Sequence, residues 1–136
     1  MPNFVLQPIG RVESTLTDAS AAPRQGDEGS PDCWLVFDAD VRAALEGIGP
    51  GSEIVVITWL HLADRNVRQV HPRGETDRPL RGVFATRSPD RPNPLGLHVV
   101  TVLDVDGLRI RVRDLEAVDR TPIVDVKPVL EPRGRR

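Results

Sequence analysis

One cysteine, Cys33, stands in a chain of 136 residues, and one lysine, Lys127, stands among its 18 basic side chains. A lone cysteine excludes an internal disulfide and a cysteine-cluster zinc site, so Cys33 reads as a small buried hydrophobe. No apolar run approaches the roughly 18 to 20 residues that a membrane-spanning helix needs. The opening MPNFVLQPIGRVES lacks the basic region followed by a long apolar segment that marks a secretory signal, and a cytoplasmic location is expected. Glycine-rich dinucleotide and phosphate loops, HExxH and GxSxG are all missing, as is any internal repeat. His61 and Asp64 lie three apart, but a metal centre takes three or four ligands, so no metal is expected.

What is present suits one globular domain spanning residues 1–136. Hydrophobic residues make up 39% and glycine adds 11 positions, which excludes a disordered chain. A net charge of −2 argues against non-specific coating of nucleic acid. The charge is unevenly spread. Glu13 to Glu53 carries nine acids against Arg24 and Arg42, whereas Arg65 to Arg91 carries seven arginines against Glu75, Asp77 and Asp90. Arginine suits bidentate recognition of phosphate or carboxylate, although a GC-rich genome would give the same bias.

Hydrophobic patterning points to strands. Phe4 to Val12 reads as a first strand, limited by Pro8 to an edge or a bulge. Ser14 to Asp32 has no periodicity and reads as a long loop. Cys33 to Phe37 is a short strand, Val41 to Leu45 a short helix capped by Asp38 or Asp40 and ended by Gly47, and Ser52 to Leu62 a central strand. After a second long loop, Gly82 to Thr86 and Leu97 to Val105 read as strands. Asp106-Gly107 predicts a type I′ hairpin, Leu108 to Arg113 alternates as a half-buried strand, and Ile123 to Val126 closes the series. Six or seven short strands with one short helix and long loops imply an all-β fold class, a small, mostly antiparallel barrel or a strongly curved sheet.

The stretch ATRSPDRPNPLG, between two of these strands, is unusually stiff. Pro89, Pro92 and Pro94 each fix φ and push Ser88, Arg91 and Asn93 towards extended conformations. Such a loop can hold the Arg87 guanidinium and the Asn93 amide in place without losing entropy on binding, or serve only as a rigid corner. Arg91 and Asn93 are candidates for substrate contact.

GVFATRSPDRPNPLGLHVV, followed by DLEAVDRTPIVDVKPVL and preceded by IGRVES and PRQGD, resembles the TrmO family, also called TsaA-like or YaeB-like. The resemblance runs from about Ile9 to Leu130. It implies a homodimeric β-barrel methyltransferase that uses S-adenosyl-L-methionine to modify N6-threonylcarbamoyladenosine in the tRNA anticodon loop. It also implies cofactor contacts at Gln25, Gly26, Asp27, His61, Leu62, Arg87, Leu97, Asp119, Arg120, Thr121 and Pro122. Arg120 stands where the family pattern usually has glycine, so a turn needing positive φ would strain it. His61 and Asp119 are the candidates for taking a proton from the acceptor nitrogen. Many members carry a C-terminal extension that has no counterpart here after Leu130. A small-molecule acceptor, or a non-catalytic barrel that binds S-adenosylmethionine or RNA, therefore stays open.

Overall fold

The computed structural model describes residues 3–15, 32–71 and 75–130. Six strands form a closed barrel: β1 (Gly10–Glu13), β2 (Cys33–Phe37), β3 (Glu53–Trp59), β6 (Leu95–Asp106), β7 (Arg109–Arg113) and β8 (Pro122–Pro128). Around the ring the order is β1, β2, β7, β6, β3, β8, and every described neighbour pairing is antiparallel. Two short strands, β4 (Gln69–Val70) and β5 (Arg81–Gly82), pair outside it. The seam between β1 and β8 is short, with Gly10 opposite Ile123 and Arg11 opposite Pro122. Three backbone bonds reinforce it: Ile9 N to Ile123 O at 2.8 Å, Val12 N to Thr121 O at 2.9 Å and Arg120 N to Val12 O at 2.7 Å. On its other side β1 runs close to β2 at Gly10, where a Cβ would lie 2.3 Å from the Val36 carbonyl oxygen, so glycine is needed there.

Alternation decides what fills the barrel. Each strand turns every second residue inwards, so Val12, Leu35, Val56, Val100, Ile110 and Ile123 meet in one apolar core. Antiparallel order also gives the barrel two different rims. β1, β3 and β7 end at one rim, where residues 60–94 and 114–121 join the strands; β2, β6 and β8 end at the other, where residues 38–52 and 107–108 join them. We call the first rim the mouth.

Four expectations shift in detail. The first strand covers only Gly10–Glu13, since Phe4 and Val5 are 82% and 85% exposed and find no partner strand among the described residues. The helix is a 3-10 helix, Ala39–Leu45, in which Asp38 makes no side-chain cap; Gly47, with φ 96°, follows it. Gly82 to Thr86 does not continue as a strand. After Gly82 it folds into a 3-10 turn, Val83–Ala85, because the Val83 carbonyl accepts hydrogen bonds from Thr86 N, Thr86 Oγ1 and Arg91 Nη2. The hairpin loop is Gly107-Leu108, flanked by the Asp106–Arg109 pair, and only Gly107 has positive φ, at 62°. A glycine with positive φ at the first central position is the type II′ arrangement, not type I′.

Candidate active site

The proline loop is held by charge as well as by ring closure. Arg91 donates from Nε to Ser88 O at 2.8 Å and from Nη2 to Val83 O and Thr86 O at 2.7 and 2.5 Å, which makes it an internal brace. Arg65, from the chain leaving β3, donates to Pro92 O at 2.6 Å and to Asn93 Oδ1 at 3.0 Å while its guanidinium stacks 5.0 Å from the Trp59 ring centre. Asp64 N to Asp90 Oδ1, at 2.8 Å, and Leu60 N to Pro94 O, at 2.8 Å, complete the docking. Proline stiffness and these bonds leave Arg87 presented on a fixed loop. It is exposed and, among the described residues, has no hydrogen-bond or ion-pair partner.

His61 and Leu62 lie in the turn that follows β3, both exposed. Leu97 points outwards from β6, opposite Ile57 of β3, and is 50% exposed. With Leu95 and Val99, at 43% and 58%, it forms an apolar strip on the barrel's outer wall.

The second set of candidates sits where β1, β2 and β8 meet. Asp119 Oδ1 accepts the Ser14 amide at 3.0 Å, and Thr121, fully buried, donates to Val118 O at 2.8 Å. Arg120 has φ 69°, so the strain expected of a non-glycine residue is present; its side chain is 85% exposed and its Nε lies 3.9 Å from Asp119 Oδ2. An open groove of about 580 Å³ lies against this set, lined by Glu13, Asp32, Trp34, Asp119 and Arg120 among others. Cys33 also lines it. Burial pushes the Cys33 thiol up to about 12 from its usual 9.0, with the charges of Asp32 and Glu116 adding to the effect. That keeps it an inert hydrophobe, as expected.

The candidates thus fall into two sets at the mouth: Asp119, Arg120, Thr121 and Pro122 on the β1–β8 side, and His61, Leu62, Arg87 and Leu97 on the β3–β6 side. Among the described residues no hydrogen bond joins the two sets. Gln25, Gly26 and Asp27 lie outside the described residues. No three His, Cys, Asp or Glu side chains among the described residues are placed to share a metal ion, and no helix there is long and apolar enough to cross a membrane.

The family model described as tRNA-methyltransferase O N-terminal domain matches residues 11–132. The chain belongs to that family. A probable S-adenosyl-L-methionine-binding protein from Methanothermobacter thermautotrophicus is 44% identical over 126 residues, covering 93% of this chain and 90% of the relative. An S-adenosyl-L-methionine-binding protein from Archaeoglobus fulgidus is 41% identical, covering 91% and 88%. Among solved structures, one of TrmO aligns with TM-score 0.77 at 28% identity, and TrmO from Pseudomonas aeruginosa with 0.76 at 26%. Both cover 95% of this chain, which spans 58% and 57% of their lengths.

Within this TrmO-family barrel, sequence reasoning overlooked three polar side chains and one anchor. Thr58, His98 and Glu116 form a hydrogen-bonded chain at the mouth end of the barrel interior: Thr58 Oγ1 lies 2.7 Å from His98 Nε2, and His98 Nδ1 lies 2.5 Å from Glu116 Oε1. The signal for His98 was its parity with Val100 and Val102, which turn inwards on the same strand. Arg65 carried no such signal, because its role depends on two loops meeting.

Proposed function

We propose that the chain is an S-adenosylmethionine-dependent N-methyltransferase that methylates N6 of N6-threonylcarbamoyladenosine in the tRNA anticodon loop. The observation that carries this reading is the gathering of Arg87, His61 and the segment from Asp119 to Pro122 at one barrel rim, in a member of the tRNA-methyltransferase O domain family. The relatives' description as S-adenosyl-L-methionine-binding supports the choice of cofactor.

The donor set fits that cofactor. Asp119 gives the groove a carboxylate that complements a sulfonium or an ammonium group; Glu13 and Asp32 line it too but pair with Arg109 and Arg111, and the Trp34 ring carries the Arg109 guanidinium at 4.7 Å. With Oδ1 engaged by Ser14 N, Asp119 Oδ2 faces the largely exposed Arg120 Nε at 3.9 Å, a weak pair that a donor on the ligand can displace. Arg87 is available for a carboxylate or a phosphate. The bound cofactor supplies a methyl group already activated by its sulfonium. The protein's part is then to align the acceptor nitrogen and exclude competitors, which its fixed loops can do without ordering cost. An N6 nitrogen between adenine and a carbonyl is more acidic than a plain amine, so His61 or Asp119 suffices as proton acceptor.

The same reading makes the protein a cytoplasmic homodimer. The strip of Leu95, Leu97 and Val99 supplies apolar surface beside one candidate set, suited to cover by a second copy. Calorimetry without divalent ions should show S-adenosylmethionine binding, and labelled methyl should enter tRNA carrying the threonylcarbamoyl group but not tRNA lacking it. Transfer to neither, or equally to both, overturns the assignment of the acceptor.

A further inference from the structure

Strands β3 and β6 spend two inward positions on polar side chains, Thr58 and His98, and both lie at the mouth end of the barrel. On β6 the inward positions run Gly96, His98, Val100, Val102; on β3 they run Ile54, Val56, Thr58. His98 is 4% exposed and Thr58 fully buried. Burying a ring nitrogen and a hydroxyl is costly unless each finds a partner, and here each does. An ionised Glu116 can only accept, so His98 Nδ1 carries the proton in that contact; in the neutral ring the Thr58 hydroxyl then donates to Nε2. Gly96 makes room for the pair, because a Cβ there would lie 2.6 Å from both His98 Nε2 and Thr58 Oγ1.

Glu116 belongs to neither strand. It sits in the segment between β7 and β8, 18% exposed, between Leu115 and Ala117, which are both buried in the core. That segment leads directly to Asp119 and Arg120. Among the described residues, the contact with His98 is the one side-chain hydrogen bond that ties residues 114–118 to the barrel strands. Beyond it come Asp119 Oδ1 on Ser14 N and Arg120 N on Val12 O.

We infer that His98 and Glu116, braced by Thr58, are positioning residues. They fix the segment that carries Asp119 and Arg120 across the barrel mouth, and so set the affinity of the groove for its ligand. Neither is exposed enough to be the principal contact. A charge-assisted bond in a nearly dry site is strong and directional, which suits a latch that fixes register. The identity of the ligand rests on the methyltransferase reading; the latch itself does not.

Glu116→Ala tests this, with Glu116→Gln as the conservative variant that keeps an acceptor for His98 Nδ1–H. In Glu116→Ala the Arg120 and Ser14 amides should exchange with solvent about tenfold faster, while the Phe37 and Val102 amides, bonded at the far rim, keep their rates. S-adenosylmethionine should bind about tenfold more weakly, and Glu116→Gln should recover most of both effects. If Glu116→Ala does not fold, Glu116→Asp, one methylene short of His98, should shift the same two amides in the same direction by less. A uniform rise at all four amides, or no selective rise at the mouth, overturns the proposal, because a merely structural role predicts that. Failure of the wild-type protein to bind S-adenosylmethionine sinks the methyltransferase reading, and the amide rates alone then decide the latch.

Discussion

The two rims of the barrel solve the same problem with different residues. At the far rim, every described turn residue with positive φ is a glycine: Gly47, Gly51 and Gly107, at 96°, 90° and 62°. At the mouth, the positive-φ residues are Asp114 and Arg120, at 73° and 69°. The interior differs in the same sense: Ile54 and Val102 behind the far rim are apolar, whereas at the mouth Thr58, His98 and Glu116 stand among apolar neighbours such as Val112, Leu115 and Ile123. The far rim is thus relaxed and apolar. The mouth keeps strained backbone and buried polar groups, which persist only where surrounding structure or function holds them.

The largest expected effect lies at the mouth. Arg87→Ala should cost about 2 to 4 kcal/mol of transition-state stabilisation, roughly 30-fold to 1000-fold in kcat/KM, with little change in melting temperature. A sharp fall in melting temperature with normal turnover would make the proline loop a structural corner and erase the contrast between the rims. Next comes pH. Above pH 9 the unfolded chain ionises Cys33 while the folded chain keeps its thiol protonated up to about 12. The unfolded state therefore holds fewer protons, and stability falls as pH rises, by about 1.4 kcal/mol at pH 10. With no tyrosine and one lysine, few other side chains titrate there. Urea midpoints at pH 8 and pH 10 should show the loss in the wild type and not in Cys33→Ala.

Two smaller substitutions run in opposite directions at the two rims. Gly107→Ala should destabilise by about 1 kcal/mol through its positive φ alone, since an added Cβ meets nothing within 4 Å. Arg120→Gly should stabilise by about 0.5 kcal/mol, the relief of left-handed strain less the extra freedom of glycine in the unfolded chain. Cofactor affinity should hold or tighten. A large loss of affinity in Arg120→Gly would show that the mouth uses this side chain, and equal signs for the two substitutions would break the comparison.

Strands written as short apolar, β-branched runs between turn signals were legible from local sequence. Cys33 to Phe37 was read to the residue and the β3 and β6 runs to within three at either end, while Leu108 to Arg113 was read from its period-two alternation. The family motifs likewise marked ATRSPDRPNP and the segment around Asp119. Segments whose shape depends on a distant partner were not legible. Gly82 to Thr86 has strand-like composition, yet it turns because Arg91 and Thr86 claim the Val83 carbonyl. Residues 4–8 have the pattern of a strand, but among the described residues no strand pairs with them.

The residues alone therefore determined that this chain is all-β with a stiff, arginine-bearing loop and one buried thiol, and the closing of its sheet into a barrel came with the tertiary structure. Tertiary structure decided which rim that loop shares with Asp119 and Arg120, that Arg65 docks it, and that His98 faces Glu116 inside the wall. The physical reason is range: alternation and proline stiffness act between neighbours along the chain, whereas Thr58, His98 and Glu116 lie on different segments and meet only when antiparallel closure brings three of them to one end of the barrel.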